Sequence, residues 1–445
     1  MVLKKKKKFM VIGIDGVPYE LIQTLARNGV MPNVKGLLEK YPLERTRAPL
    51  PEVSSVSWAS FMTGRNPGEH GVYGFMEIDP ADYSYTFPYF PAFPVKPVWE
   101  IIEAQKKRSV IINLPGTYPV RPMKGILVSG FVAPDLEKSV FPRSLLPALK
   151  AMDYRVDVDA AAARIDKDAF LKDLFSTLDI RHRFYRSVVE QKWDLFFFII
   201  TGTDRLHHFF FDAVDDPGSP YYERFMDYYR EVDAVVGDIA ASMEKRGVPF
   251  IILSDHGFVR IEKEVYLSQY LKRWGYLDLE GKRPVDLQRM TEKTKIFILD
   301  PSRVYIHLEG KYRKGRVKKG EYGRLREEIR EKFLGLEIDG EPVIKDVFYK
   351  EAIYHGPYLD RAPDLVLLSH HGFDLKSGVT KDSCYGKSFF QGMHSMDNAM
   401  LMDSYGFELE DHPPVYEIGK KLIAYFTDSG RLPDPSCTAR GISDI

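Results

Sequence analysis

The chain has 445 residues, 63 Lys+Arg balanced by 63 Asp+Glu, a 44% hydrophobic share and two cysteines. That length suits two or three average domains, or one large α/β domain with an insertion, and the apolar share supplies a sizeable core. Zero formal charge argues against a nucleic-acid-binding surface as the main purpose, and Cys384 and Cys437 cannot build a disulfide framework or a zinc ribbon.

The N-terminal run Lys4 to Lys8 reads as a solvated end. The apolar stretch behind it is too short for a signal peptide, and no run of about 18 apolar residues exists to span a membrane. A soluble, cytoplasmic protein of unknown oligomeric state is the expectation. Phe9 to Ile14 is the first buried strand and ends in Asp15-Gly16. A helix follows from Pro18 until Asn28-Gly29 stops it, then a short helix over Asn33 to Lys40 and a strand over Leu43 to Arg47. Ala48 to Ser57 is a proline-rich turn opening on a helix over Trp58 to Thr63, which Gly64-Arg-Asn-Pro-Gly-Glu-His-Gly71 breaks. Residues 82–97 interleave Tyr83, Tyr85, Phe87, Tyr89, Phe90 and Phe93 with prolines. They form either a loop pinned to the surface by its aromatics or a wall of a substrate pocket.

Alternation then becomes regular: helix Val98 to Gln105, strands Ser109 to Asn113 and Gly125 to Ser129, and a long helix over 166–191. A strand over Asp194 to Ile200 and a helix over Tyr221 to Lys245 lead to the apolar run Phe250 to Leu253. This rhythm predicts an α/β fold, doubly wound, with a mostly parallel sheet covered by helices on both faces. Residues 261–354 depart from it, with many charges, short strands and one amphipathic helix over Tyr322 to Phe333. They read as an inserted cap or accessory subdomain, so that 1–260 and 355–445 form the core, the rhythm resuming at Pro363 to Leu368.

Several apolar strands end in side chains able to hold a metal. The first gives Asp15; the strand at 194–200 gives Asp204 and His208, which share a helix face if that segment is helical. The strand at 250–253 gives Asp255 and His256, and His394 precedes a short strand at Ala399 to Met402. In an open α/β sheet such loops gather at one edge. Mixed nitrogen and oxygen donors suit Zn²⁺ or Mn²⁺ better than Ca²⁺ or Mg²⁺. A nucleophile completes a hydrolytic site. From residue type alone Ser54, Ser55, Ser57 and Ser60 are equally eligible, near a helix start whose amides favour negative charge.

Taken in order, Ile14-Asp-Gly16, Ser54 with Thr63 to Gly71, Asp204-x-x-x-His208, Ser254-Asp-His-Gly257 and Gly392-Met-His394 resemble the signature of the alkaline phosphatase superfamily. The branch they resemble is that of type I phosphodiesterases and nucleotide pyrophosphatases, and more closely the chain looks like microbial phosphohydrolases or phosphomutases of that superfamily. Asn113 to Pro119, Ser129-Gly-Phe131, Thr203-Asp-Arg205 and Tyr354-His-Gly-Pro357 fit that group. The resemblance implies two divalent cations, Zn²⁺ first and Mn²⁺ second. Asp204, His208 and His394 would hold one; Asp15, Asp255 and His256 would hold the other with Ser54, which is also the implied nucleophile. The implied activity is hydrolysis of phosphodiester or pyrophosphate bonds in a small-molecule substrate through a phospho-serine. A phosphomonoesterase or phosphomutase is the near alternative, and a catalytically silent ligand-binding homologue the distant one. His70 is set aside as a structural residue of its turn, and His207 is left out because on a helix it would point away from His208. The Asn with which nucleotide pyrophosphatases contact a phosphoryl oxygen falls at Phe75, so the substrate contacts are unassigned.

Overall fold

The computed structural model describes residues 7–281 and 286–427; Cys437 and Lys4 to Lys6 lie outside them. Two compact units divide the chain. The first comprises the residues up to Arg65, Tyr89–Val259 and those from His394 on; the second comprises Asn66–Pro88 and Arg260–Met393. The segment 261–354 falls within the second unit, which also takes in 66–88 and 355–393.

The first unit is built on an eight-stranded sheet: β1 (Phe9–Ile14), β2 (Leu43–Thr46), β3 (Ser109–Leu114), β4 (Gly125–Ser129), β5 (Val140–Phe141), β6 (Leu195–Ile200), β7 (Phe250–Leu253) and β8 (Ala399–Asp403). Their spatial order is β2-β8-β7-β1-β6-β3-β4-β5. The five strands from β7 to β4 are parallel, and β8 and β5 run antiparallel to their inner neighbours. The fold is thus the α/β class expected, mostly parallel in its centre. Every residue of β1, β6 and β7 is buried, which is why their apolar residues run on without alternation. Among the described residues no helix is long and apolar enough to cross a membrane.

Two glycines let helices close on this sheet. A Cβ on Gly13 would lie 2.6 Å from the Trp58 ring and 2.6 Å from Ile199, so only a glycine in β1 lets helix Ser54–Thr63 bring its indole down on the strand. On that helix's other side, a Cβ at Gly419 of helix Val415–Thr427 would meet the Phe61 carbonyl oxygen at 1.9 Å.

The second unit has its own core, including Phe297, Ile306, Ile329, Phe333 and Leu367. Its main sheet has four antiparallel strands, in the order Ile296–Leu299, Arg303–Ile306, Leu365–Ser369, Ile344–Tyr349. The apolar run at Pro363 to Leu368, read as the return of the parallel rhythm, therefore belongs to an antiparallel sheet. A strand buried on both faces shows the same continuous apolar run in either kind of sheet. The aromatic stretch 82–97 has one anchor in each unit. Tyr83 is buried with its hydroxyl 2.8 Å from His307 Nε2; Phe90 is buried beside Trp99 and under the Arg121 guanidinium. Phe87 and Tyr89 between them are exposed.

Candidate metal centre

β7, β1 and β6 are neighbours in the sheet, with Gly13 paired to Leu253 and Ile14 to Ile200. The residues that follow each strand therefore emerge at one level of the carboxyl edge. Asp15 follows β1, Asp255 and His256 follow β7, and helix Gly202–Phe210 opens after β6. That helix puts Asp204 and His208 one turn apart on one face. His394 arrives on strand Gly392–Ser395.

All seven candidate residues come together within the first unit. His394 Nε2 lies 3.1 Å from Asp204 Oδ1 and 3.1 Å from His208 Nε2, and His208 Nε2 lies 3.4 Å from Asp204 Oδ1. His256 Nε2 lies 3.4 Å from Asp255 Oδ2 and 3.6 Å from Asp15 Oδ1. Ligand atoms of a tetrahedral zinc, at 2.0–2.1 Å from the ion, stand roughly 3.3 Å from one another. Both groups have close to that spacing. His256 adjoins both, its ring stacked on His394 with centroids 3.7 Å apart.

Electrostatics make the same case for a cation. Burial, then Asp255 and Asp204, push the Asp15 carboxyl well above its ordinary range. Burial raises Asp255 to about 7 against the opposing hydrogen bond from the Gly16 amide. Burial acts on Asp204 in the same direction, but the imidazoles of His208 and His394 outweigh it and hold this carboxyl well below the usual range. Burial and the His394 charge lower His256. Asp255 Oδ2 is buried and accepts no hydrogen bond among the described residues. Two buried carboxyls pushed up in pKa by burial and by neighbouring carboxylates, with a buried Asp255 oxygen that accepts no hydrogen bond among the described residues, fit a divalent cation as their partner.

The surrounding residues orient the donors. His394 Nδ1 is 2.7 Å from the Glu52 carbonyl oxygen and His256 Nδ1 is 3.0 Å from that of Gly257. Each ring thus donates from Nδ1 and directs its Nε2 to the centre. Gly16 N donates to Asp255 Oδ1 at 3.1 Å, and Thr203 Oγ1 to the Asp15 carbonyl oxygen at 2.6 Å. Phe258 sets its ring edge-on to His208 and to His394.

Ser54 is the first residue of helix Ser54–Thr63, with extended Val53 as its cap. The helix begins before Trp58, where the sequence pattern starts it, because Val53 has already left the proline-bound turn. Ser54 Oγ donates to Asp15 Oδ1 at 3.2 Å and lies 3.1 Å from His256 Nε2. Ser55, Ser57 and Ser60 are buried on the same helix, but neither the Ser55 nor the Ser57 hydroxyl has a hydrogen-bond partner among the described residues. Of the four eligible serines, Ser54 has these contacts with the cluster.

Sequence reading missed two supports of the site. Trp58 Nε1 donates to Asp15 Oδ2 at 2.9 Å, and Arg205 bridges Asp204 and Asp157. His207 is buried between the Gly16 carbonyl and the Tyr229 hydroxyl. His70 is buried in its own turn, its Nδ1 accepting from the Val72 amide.

Residues 9–397 match the family model described as type I phosphodiesterase / nucleotide pyrophosphatase. No curated protein matches the chain in sequence. Two kinds of solved structure are similar. Phosphonoacetate hydrolase from Sinorhizobium meliloti 1021, in complex with phosphonoformate, aligns with a TM-score of 0.65 at 14% identity, covering 95% of this chain and 96% of that chain. Murine ectonucleotide pyrophosphatase / phosphodiesterase 5, an inactive variant in complex with AMP, aligns with a TM-score of 0.55 at 13% identity, covering 94% and 95%. At these identities the likeness is one of fold.

Proposed function

The chain belongs to the type I phosphodiesterase / nucleotide pyrophosphatase family of phosphoric ester hydrolases, and on that premise we propose that it cleaves phosphodiester or pyrophosphate bonds in a small-molecule substrate with Ser54 as nucleophile. The carrying observation is the place of Ser54 Oγ, 3.2 Å from Asp15 Oδ1 and 3.1 Å from His256 Nε2 at the start of a helix. Two divalent cations, Zn²⁺ or Mn²⁺, complete the reading. Asp204, His208 and His394 hold one, and Asp15, Asp255, His256 and Ser54 the other. When bound, the cations supply Lewis acidity, which lowers the serine pKa and takes up charge on the phosphoryl and leaving oxygens.

The remaining work falls to side chains and backbone. The Ser54 hydroxyl directs its proton to Asp15 Oδ1, leaving an oxygen lone pair for phosphorus. Attack forms the Ser54–phosphate ester and expels an alcohol or a phosphate; water then cleaves the ester and regenerates the serine. The first-turn amides of Ser54 and Ser55 are among the donors a helix leaves without intrahelical acceptors, and they suit the phosphoryl oxygens. The ligands of the similar structures, phosphonoformate and AMP, share a phosphorus bearing several anionic oxygens, which supports the reading that this centre receives such a group. A cytoplasmic location is part of the reading and draws on the two-cysteine composition.

Ser54→Ala is expected to abolish turnover of a bis-aryl phosphate while both cations stay bound, measured by steady-state rates and elemental analysis. Retained turnover overturns the nucleophile. A strong preference for aryl monoesters over diesters in the wild type converts the reading to a phosphomonoesterase.

A further inference from the structure

The two oxygens of Asp204 have different partners. Oδ1 is the atom near His208 and His394, at 3.4 and 3.1 Å. Oδ2 accepts from Nη1 of Arg205 at 3.2 Å. The other edge of that guanidinium donates twice to Asp157 Oδ2, from Nε at 3.0 Å and Nη2 at 2.6 Å. One guanidinium thus joins the carboxylate beside the imidazoles to a second carboxylate that faces none of them.

The joint is enclosed and rigidly backed. The side chains of Arg205, Asp157 and Asp204 are 12%, 16% and 8% exposed. The Phe131 ring lies 4.2 Å from the guanidinium carbon. The backbone next to Asp157 is anchored: buried Arg181, on helix Lys167–Val188, donates to the Val156 carbonyl at 3.0 Å and to Thr201 Oγ1 at 3.3 Å. Asp204 and Arg205 are consecutive on their helix and would ordinarily diverge by about 100°. Arg205 is long enough to fold back, giving Asp204 one N–H from Nη1 while Nε and Nη2 serve Asp157, a division between two carboxylates that a lysine's ammonium does not reproduce in fixed geometry.

We propose that Arg205, locked by Asp157, is a positioning residue that fixes the Asp204 carboxylate with Oδ1 toward His208 and His394, and so sets the cation affinity of that group. The inference rests on the two-cation reading above. A free carboxylate rotates between its oxygens and pays for its orientation when a cation arrives; one clamped through Oδ2 does not. Loss of such an outer partner typically weakens metal affinity 10- to 100-fold.

Two variants preserve the local net charge, so that orientation is tested apart from Coulomb effects. Arg205→Lys keeps the cation and loses the fixed geometry. The double variant Arg205→Met with Asp157→Asn removes one charge of each sign. Metal-stripped full-length protein is titrated calorimetrically with Zn²⁺ and separately with Mn²⁺. The wild type is expected to take two equivalents. In each variant one affinity falls about 10- to 100-fold while the other is unchanged, and in an Asp255→Asn background the remaining equivalent shows the same loss. Unchanged affinities in both variants overturn the clamp, as does an equal weakening of both equivalents, which marks a general structural role. A wild type that takes fewer than two equivalents overturns the two-cation reading itself, and the clamp with it.

Discussion

Trp58 donates its indole N–H to Asp15 Oδ2 at 2.9 Å, and Ser54, one turn earlier on the same helix, occupies Oδ1 at 3.2 Å. One face of one helix therefore grips both oxygens of the carboxylate that ends β1. The nucleophile and the orientation of its neighbouring ligand are set by a single rigid element, so a fault in the docking of that helix registers in both.

Trp58→Phe isolates the hydrogen bond from the packing, since the six-membered ring still fills part of the space against β1. A hydrogen bond to a charged group contributes about 1.5–3 kcal/mol, and outer partners of metal ligands are worth about 10- to 100-fold in affinity. The expected outcome is a loss of that order in the affinity of one of two bound cations, with a parallel fall in kcat. Equilibrium titration of metal-stripped protein alongside steady-state rates checks it.

Gly13→Ala attacks the same relationship from the sheet. The new Cβ would sit 2.6 Å from both the Trp58 ring and the Ile199 side chain, so the helix must lift or β1 must yield. Overpacking of this kind costs about 1–3 kcal/mol. Thermal unfolding should show the loss in Tm, and activity should fall further than stability explains because Ser54 moves with Trp58. A variant with lowered Tm and intact kcat would show that the helix docks independently of Gly13.

Asp15, Asp255, His256, Asp204 and His208 were legible because each follows an apolar run that ends abruptly, a pattern local in sequence. Their convergence was not local: β1 pairs with β6 and β7, strands that the chain reaches nearly two hundred residues later or more, and ordered motifs stood in for that geometry. The roles of Trp58 and Arg205 had no local signal, since an indole or a guanidinium becomes a partner of Asp15 or Asp204 only by long-range approach. The strand Leu365–Ser369 was legible as a strand but not in its partners, because burial on both faces erases the alternation that distinguishes an antiparallel neighbour.

His70 provides a pH signature away from the metal centre. Burial lowers its pKa from 6.5 to about 3, so the unfolded chain binds the proton first as pH falls. Stability is full above the unfolded pKa and declines through the window from 6.5 toward 3. Between pH 6 and pH 4.5 this one group should cost about 2 kcal/mol. His70→Asn keeps an acceptor for the Val72 amide and removes the titration. Denaturant unfolding of both proteins in chelator should show a shallower acid decline in the variant; identical declines would show that His70 titrates normally.

Asp204→Asn and Asp255→Asn should each remove one cation and leave the other. The two carboxyls stand in opposite environments: His208 and His394 outweigh burial to keep Asp204 ionised, whereas burial raises Asp255 to about 7. An amide at 255 therefore replaces a group already inclined to be neutral without the cation, and metal-free Asp255→Asn should be at least as stable as the metal-free wild type. An amide at 204 strips two imidazoles of their counter-charge and should lower the stability of the metal-free protein. With cation added at 100 times its Kd, a site that binds only the folded state stabilises it by about 2.7 kcal/mol, so each variant should lose one such increment. Elemental analysis and Tm with and without Zn²⁺ measure both. If either single substitution empties both sites, the centre is one cooperative cluster and not two separable ones.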